Sequence, residues 1–192
     1  FLTNGLEGVA RRYAGFVATD HDLIEDSFET EAERKVYSAH LDPERNVKTS
    51  FWPVEEIVDR GYAAIGFARE EVSPECYDTE RAFKEGVFRC FEDPAKPRPP
   101  DAWGALSAWA WAASRVMDWI ETEPAIDASR VGVVGLSRNG KTALVAGATD
   151  PRFALTVSCC SGMCGAKLNH AAVPNSETIQ LDVLCNPHWF CK

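Results

Sequence analysis

The sequence predicts an α/β fold, a mostly parallel sheet with crossover helices, on three observations. Short apolar runs of strand length alternate along the chain with longer runs at helical spacing. The clearest strand, Val131-Gly132-Val133-Val134, leads through a serine turn into the helix-forming run Thr142-Ala143-Leu144-Val145-Ala146-Gly147. Finally, 192 residues that are 45% hydrophobic and 26% charged suit one core of ordinary size, so a single domain over 1–192 is expected.

Taken in order, Phe1-Leu2-Thr3 before Asn4-Gly5 reads as the end of a strand running into a loop. Residues 20–50 are polar and charged, without an apolar period, and read as an excursion. Pro53 at a first-turn position, followed by Val54, Ile57 and Val58, predicts a helix ending at Gly61. Residues 62–67 then read as a strand. The stretch 69–100 is rich in Glu, Pro and Cys, and Pro94, Pro97, Pro99 and Pro100 exclude regular structure near its end. Asp101 is placed to cap a helix running to about Thr122. Along one face of that helix lie Trp103, Leu106, Ala110, Ala113, Met117 and Ile120, and Trp109, Val116 and Trp119 widen the stripe. Helical spacing accounts for these aromatics as core, without a ligand. Residues 154–158 form a last buried strand, and strand, helix, strand, helix, strand in this order implies parallel strands joined by crossovers.

The net charge of −9 argues against nucleic acid, whose phosphates need a basic face. Charge is uneven: residues 1–130 hold 15 basic and 26 acidic side chains, and residues 131–192 hold 5 and 3. No transmembrane run or signal peptide is visible. The seven cysteines are odd in number, so at least one thiol is free. Cys159, Cys160 and Cys164 cluster, but without a second CxxC or a histidine at ligand spacing they read as small buried hydrophobes, and no metal is expected.

Ser137, squeezed between strand and helix, has the layout of a nucleophile elbow, in which a tight turn lifts the hydroxyl above the sheet edge and the helix N-terminus aims N–H groups at it. The competing reading is an ordinary helix cap. Gly135 removes a Cβ where strand and helix approach. The second glycine is displaced, because Asn139 stands two residues after the serine and Gly140 three. Arg138 and Lys141 fall in the first helical turn, where the macrodipole disfavours cations, so a compensating anion is needed. An oxyanion or a bound uronate would supply it.

Gly135-Leu136-Ser137-Arg138-Asn139-Gly140-Lys141 resembles the nucleophile motif of the glucuronoyl esterases of carbohydrate esterase family 15, which a displaced glycine and a following Arg set apart from most α/β-hydrolases. The likeness continues through Ala146-Gly147-Ala148-Thr149-Asp150-Pro151-Arg152-Phe153-Ala154-Leu155, Ser161-Gly162 with Gly165-Ala166, and Pro187-His188-Trp189-Phe190-Cys191. Upstream, Trp52-Pro53-Val54-Glu55-Glu56-Ile57, Gly61-Tyr62-Ala63 and Trp103-Gly104-Ala105 with Ala108-Trp109-Ala110-Trp111 are similar too.

The resemblance implies a partial α/β-hydrolase fold and a serine esterase acting on the 4-O-methyl-glucuronate esters that link xylan to lignin alcohols, without metal or cofactor. Ser137 would be the nucleophile. The backbone N–H and guanidinium of Arg138 would hold the oxyanion, and Lys141 would contact the uronate. Family members that act on plant cell wall are secreted or periplasmic, and the same is expected here. Leu136 stands where fungal members carry a cysteine, which excludes a disulfide there and indicates a bacterial-type relative.

In the family the catalytic histidine follows the serine by well over a hundred residues, whereas 55 follow Ser137. The chain is therefore expected to be an internal piece of a larger esterase, inactive by itself. His21 and His40 read as surface residues. His170 and His188 follow the nucleophile but neither reads as the base, and His188 lies in a segment that resembles a structural part of the family. Many members place a carboxylate where Cys160 stands, before Ser161-Gly162, and others supply the acid from a later loop. Glu177 and Asp182 read as solvated charges. Two alternatives stay open: an acetylxylan esterase or other carbohydrate esterase using the same Ser137, and a non-catalytic binding piece.

Overall fold

The computed structural model describes residues 54–76, 78–168 and 177–191. The expectations for Phe1-Leu2-Thr3, for residues 20–50 and for Pro53, His21, His40 and His170 lie outside them. By its internal contacts the chain divides between Ala68 and Arg69. In the first unit, helix α1 (Val54–Asp59) ends where the Gly61 N–H bonds to Val58 O at 2.8 Å, as the sequence predicts. Residues 62–67, expected as a strand, form no strand pairing among the described residues. An apolar run becomes a strand only where a partner supplies its ladder bonds.

The second unit begins with three short helical turns, α2 (Arg69–Val72), α3 (Thr79–Ala82) and α4 (Phe88–Phe91). After them come the long helix α5 (Ala105–Ile120), strand β1 (Gly132–Leu136), helix α6 (Arg138–Thr149) and strand β2 (Leu155–Cys159). Helix α7 (Ile179–Cys185) and a 3₁₀ turn, Pro187–Trp189, close the described part. The two strands pair in parallel from Gly132↔Leu155 to Leu136↔Cys159, with α6 as the crossover. These are the strands expected at 131–134 and 154–158, each displaced by one or two residues.

Helix α5 starts at Ala105 behind Gly104, which gives no side-chain cap, so Asp101 does not cap it. Tertiary contacts hold the preceding residues outside the helix. The Trp103 ring packs edge-on against Phe88 at 5.2 Å, Phe91 at 5.7 Å and Trp111 at 6.4 Å. Arg98 is anchored to Glu92 at 2.8 and 3.0 Å, donates to Trp103 O, and lies 3.7 Å over the Phe83 ring. The apolar stripe itself is as expected: Leu106, Trp109, Ala110, Ala113, Met117 and Ile120 are buried. Trp119, at 42% exposure, falls outside it.

Two features of α5 position the site. Trp109 is fully buried, its indole N–H donates to Ser73 O at 3.0 Å, and the Arg69 guanidinium stacks 4.8 Å over its ring. This fastens the chain around Glu75 to the helix. At the other end of α5, Arg152 joins Asp150 (2.6 Å), Asp118 (2.9 Å) and Glu121 (2.7 Å), so the α6–β2 connection is tied to the α5 C-terminus. Trp189 joins Ala105, Leu106 and Trp109 in one buried cluster. Among the described residues, no helix is long and apolar enough to cross a membrane.

Candidate active site

Ser137 stands at the junction of β1 and α6 with φ 54° and ψ −123°, and its side chain makes no capping hydrogen bond. A capping serine has extended backbone and turns its hydroxyl onto the N–H groups of the first turn. Neither holds here. The left-handed backbone of a residue with a Cβ is a strained conformation of the kind that clusters at reactive groups. The Ser137 N–H donates to Cys159 O at 2.9 Å, which fixes the turn to the end of β2, and the side chain is exposed.

The two glycines explain how the turn closes. A Cβ on Gly135 would strike the backbone of Asn139 and Gly140. A Cβ on Gly140 would lie 2.9 Å from both Cys159 O and Ser161 Cβ. The displaced glycine therefore serves the approach of α6 to the end of β2. Beneath it the Ser158 hydroxyl meets Gly140 O at 3.0 Å and Ser161 Oγ at 2.7 Å, and Ser161 Oγ accepts the Ala166 N–H at 2.8 Å.

Arg138 and Lys141 open α6 with positive charge, and the protein itself supplies the anions. Arg138 Nη1 lies 3.3 Å from Glu75 Oε2, and Lys141 Nζ lies 3.5 Å from Asp182 Oδ2. The expected need for an anion is thus real, but it is met without a ligand. Asp182 is 6% exposed, which corrects its reading as a solvated charge. Glu177 is exposed as expected, although its carboxylate accepts the Met163 N–H at 3.2 Å. Trp189 links the two cations, with its ring 5.6 Å from the Arg138 guanidinium and 5.4 Å from Lys141 Nζ.

Glu75 is the residue that sequence reading missed. Its Oε2 accepts from Arg69 Nη1 at 2.5 Å and faces Arg138. Its Oε1 accepts from Trp189 Nε1 at 2.9 Å and meets His188 Nε2 at 3.1 Å. Burial alone would raise the pKa of this carboxyl. The hydrogen bond to His188 and the charges of Arg69 and Arg138 outweigh burial and hold it at about 2. No spacing in Ser73-Pro74-Glu75-Cys76 signals such a role.

The structure thus gathers Ser137, Arg138 and Lys141 at the start of α6, with Glu75, Asp182 and Trp189 behind them. His188 is fully buried with its Nε2 on Glu75. Cys160 is an exposed thiol at φ 44°, next to the residue whose carbonyl holds the Ser137 N–H, and Cys159 and Cys164 are only partly buried, which corrects the reading of all three as buried hydrophobes. A helix N-terminus leaves its first N–H groups without intrahelical acceptors. An exposed hydroxyl at such a terminus supplies a group that can attack a carbonyl, and the N–H groups of the first turn with the guanidinium at the next residue supply donors that can stabilise an oxyanion.

The family model described as "Glucuronyl esterase, fungi" matches residues 48–183. The chain is 36% identical over 148 residues to carbohydrate esterase MZ0003 from an unknown prokaryotic organism, covering 77% of this chain and 33% of that protein. It is 55% identical over 65 residues to 4-O-methyl-glucuronoyl methylesterase 1 of Sodiomyces alcalophilus, covering 33% of this chain and 13% of the relative. Among solved structures, a glucuronoyl esterase from Solibacter usitatus superposes with a TM-score of 0.65 at 36% identity, over 79% of this chain and 38% of that one. A CE15 glucuronoyl esterase from Teredinibacter turnerae gives a TM-score of 0.68 at 31% identity, over 84% and 38%. The chain spans 33% of the length of MZ0003 and less of the fungal relative.

Proposed function

This chain belongs to the glucuronoyl esterase family, and on that premise we propose that Ser137 is the nucleophile of a serine esterase that cleaves 4-O-methyl-glucuronate esters of glucuronoxylan. The observation that carries the reading is the backbone of Ser137, strained at φ 54° with its hydroxyl uncommitted to any cap. Helix capping does not explain that conformation, and presentation of a nucleophile does.

In the reaction Ser137 Oγ adds to the ester carbonyl, whose electron pair moves onto oxygen. The oxyanion faces the first N–H groups of α6 and the Arg138 guanidinium. Collapse expels the alcohol, which leaves carrying the proton given up by the Ser137 hydroxyl, and the acyl-serine that remains is hydrolysed by water to the uronic acid and free serine. His188, buried and engaged by Glu75, does not take the serine proton, and the base is assigned to none of the described residues. Lys141 contacts the uronate, a choice supported by the names of the fungal relatives. One observation favours a second reading. Lys141 already has Asp182 and Trp189 around it, an arrangement that would equally suit an acetylxylan esterase whose substrate carries no charge. Either substrate places the protein in a secreted or periplasmic setting.

The test is to treat the complete protein with an alkyl fluorophosphonate and locate the adduct by peptide mass spectrometry. Modification of Ser137 supports the nucleophile. An active protein modified at another serine would contradict it.

A further inference from the structure

We propose that Glu75 is a positioning residue for this reaction, whose carboxylate sets the Arg138 guanidinium and the Trp189 indole against the start of α6. The proposal rests on the reading of Ser137 as nucleophile and Arg138 as oxyanion donor.

Arg138 has a long side chain that is one-third exposed, 34%, and by itself would sample many rotamers. Glu75, with 5% exposure, is the fixed object it meets. The carboxylate is oriented from both sides. Oε1 is held by Trp189 Nε1 and His188 Nε2, from a turn 113 and 114 residues away in sequence, and Oε2 faces the two arginines. A carboxylate held at both oxygens cannot turn, so the guanidinium docked on it inherits a defined direction. Arg69 has a second carboxylate, Glu70, at 2.6 Å. The charge of Glu75 is therefore not spent on Arg69 alone, and part of it serves Arg138.

Trp189 is placed by the same atom. Its ring touches both cations of α6 while its N–H ends on Glu75 Oε1. One carboxylate thus sets the relation between the oxyanion donor and the aromatic wall beside Lys141. Donors held in place before the reaction need no reorganisation as charge develops, and that is where the rate gain of an oxyanion site arises.

The test is a double-mutant cycle in the complete protein, with steady-state kinetics on a benzyl glucuronate ester. Glu75→Gln keeps the size and an acceptor oxygen but removes the charge that docks Arg138. We expect kcat to fall about 10- to 100-fold with KM changed by less than about three-fold, the pattern of a lost transition-state interaction. In an Arg138→Ala background the same substitution is expected to cost almost nothing further. An unchanged kcat, or the same loss in both backgrounds, would overturn the role of Glu75. Ser137→Ala is assayed alongside: retained turnover there would overturn the nucleophile reading and this proposal together, whereas a dead Ser137→Ala with a multiplicative cycle overturns the role of Glu75 alone. Should Glu75→Gln fail to fold, the unsubstituted protein carrying a phosphonate on Ser137 decides the matter by crystallography. Arg138 lying between Glu75 and the phosphonyl oxygen is the expected result, and Arg138 parted from Glu75 would overturn it.

Discussion

Lys141 Nζ lies 3.5 Å from Asp182 Oδ2, with both side chains almost excluded from solvent. A cation that opens a helix against its dipole is thereby balanced from α7, a different part of the chain. Removing one member of such a pair strands a buried charge. Asp182→Ala is expected to lower unfolding free energy by about 3 to 5 kcal/mol in urea denaturation, and the double change Lys141→Met, Asp182→Leu to restore most of it. A loss below about 1 kcal/mol in the single variant, the range of exposed pairs, would contradict the buried pair.

The same lysine tests substrate class. If Lys141 contacts a uronate, Lys141→Ala in the complete protein should weaken kcat/KM on glucuronate esters by about 1 to 3 kcal/mol, the range for a charged hydrogen bond, while sparing p-nitrophenyl acetate. Measuring both substrates on one preparation cancels any loss of folded protein. Equal losses would remove the uronate assignment and put the acetyl esterase ahead.

The local parts of this site were legible in the sequence. The run from Val131 through Ser137 into the helix, then the strand that follows, is dictated by neighbours in the chain, and the structure returns it within two residues. The conflict of Arg138 and Lys141 with the helix dipole also signalled, correctly, that anions were required. Their identity was not readable, because Glu75 and Asp182 reach the helix through tertiary packing and sit in segments without a pattern of their own. The failed cap at Asp101 has the same origin: the Phe88, Phe91 and Trp111 rings claim Trp103 and override a local preference.

Acid should expose Glu75. Its folded pKa of about 2 lies below its ordinary 4.5, so its contribution is complete above about pH 4.5 and is lost as pH falls toward 2. The shift corresponds to stability on the order of 3 kcal/mol. Asp150, drawn down mainly by the Arg152 hydrogen bond, loses stability in the same direction, so the comparison must be made against Glu75→Gln. The variant should show a shallower fall of unfolding free energy across that pH range. Identical slopes would contradict the coupling of Glu75 to His188 and the two arginines.

Strain at Ser137 predicts a gain from losing it. Glycine adopts positive φ without steric cost, so Ser137→Gly should stabilise the protein by about 1 to 2 kcal/mol while abolishing hydrolysis. A capping serine would instead leave stability a few tenths of a kcal/mol lower on the same change. Chemical denaturation of the two proteins distinguishes the outcomes by sign.

The most direct measurement is kcat/KM of the complete protein on a benzyl ester of 4-O-methyl-glucuronate, before and after Ser137→Ala. A nucleophile at Ser137 predicts a fall of at least about 10⁴-fold with the folded state intact, because the oxyanion donors alone retain only residual catalysis. Turnover within about ten-fold of the unsubstituted protein would contradict it.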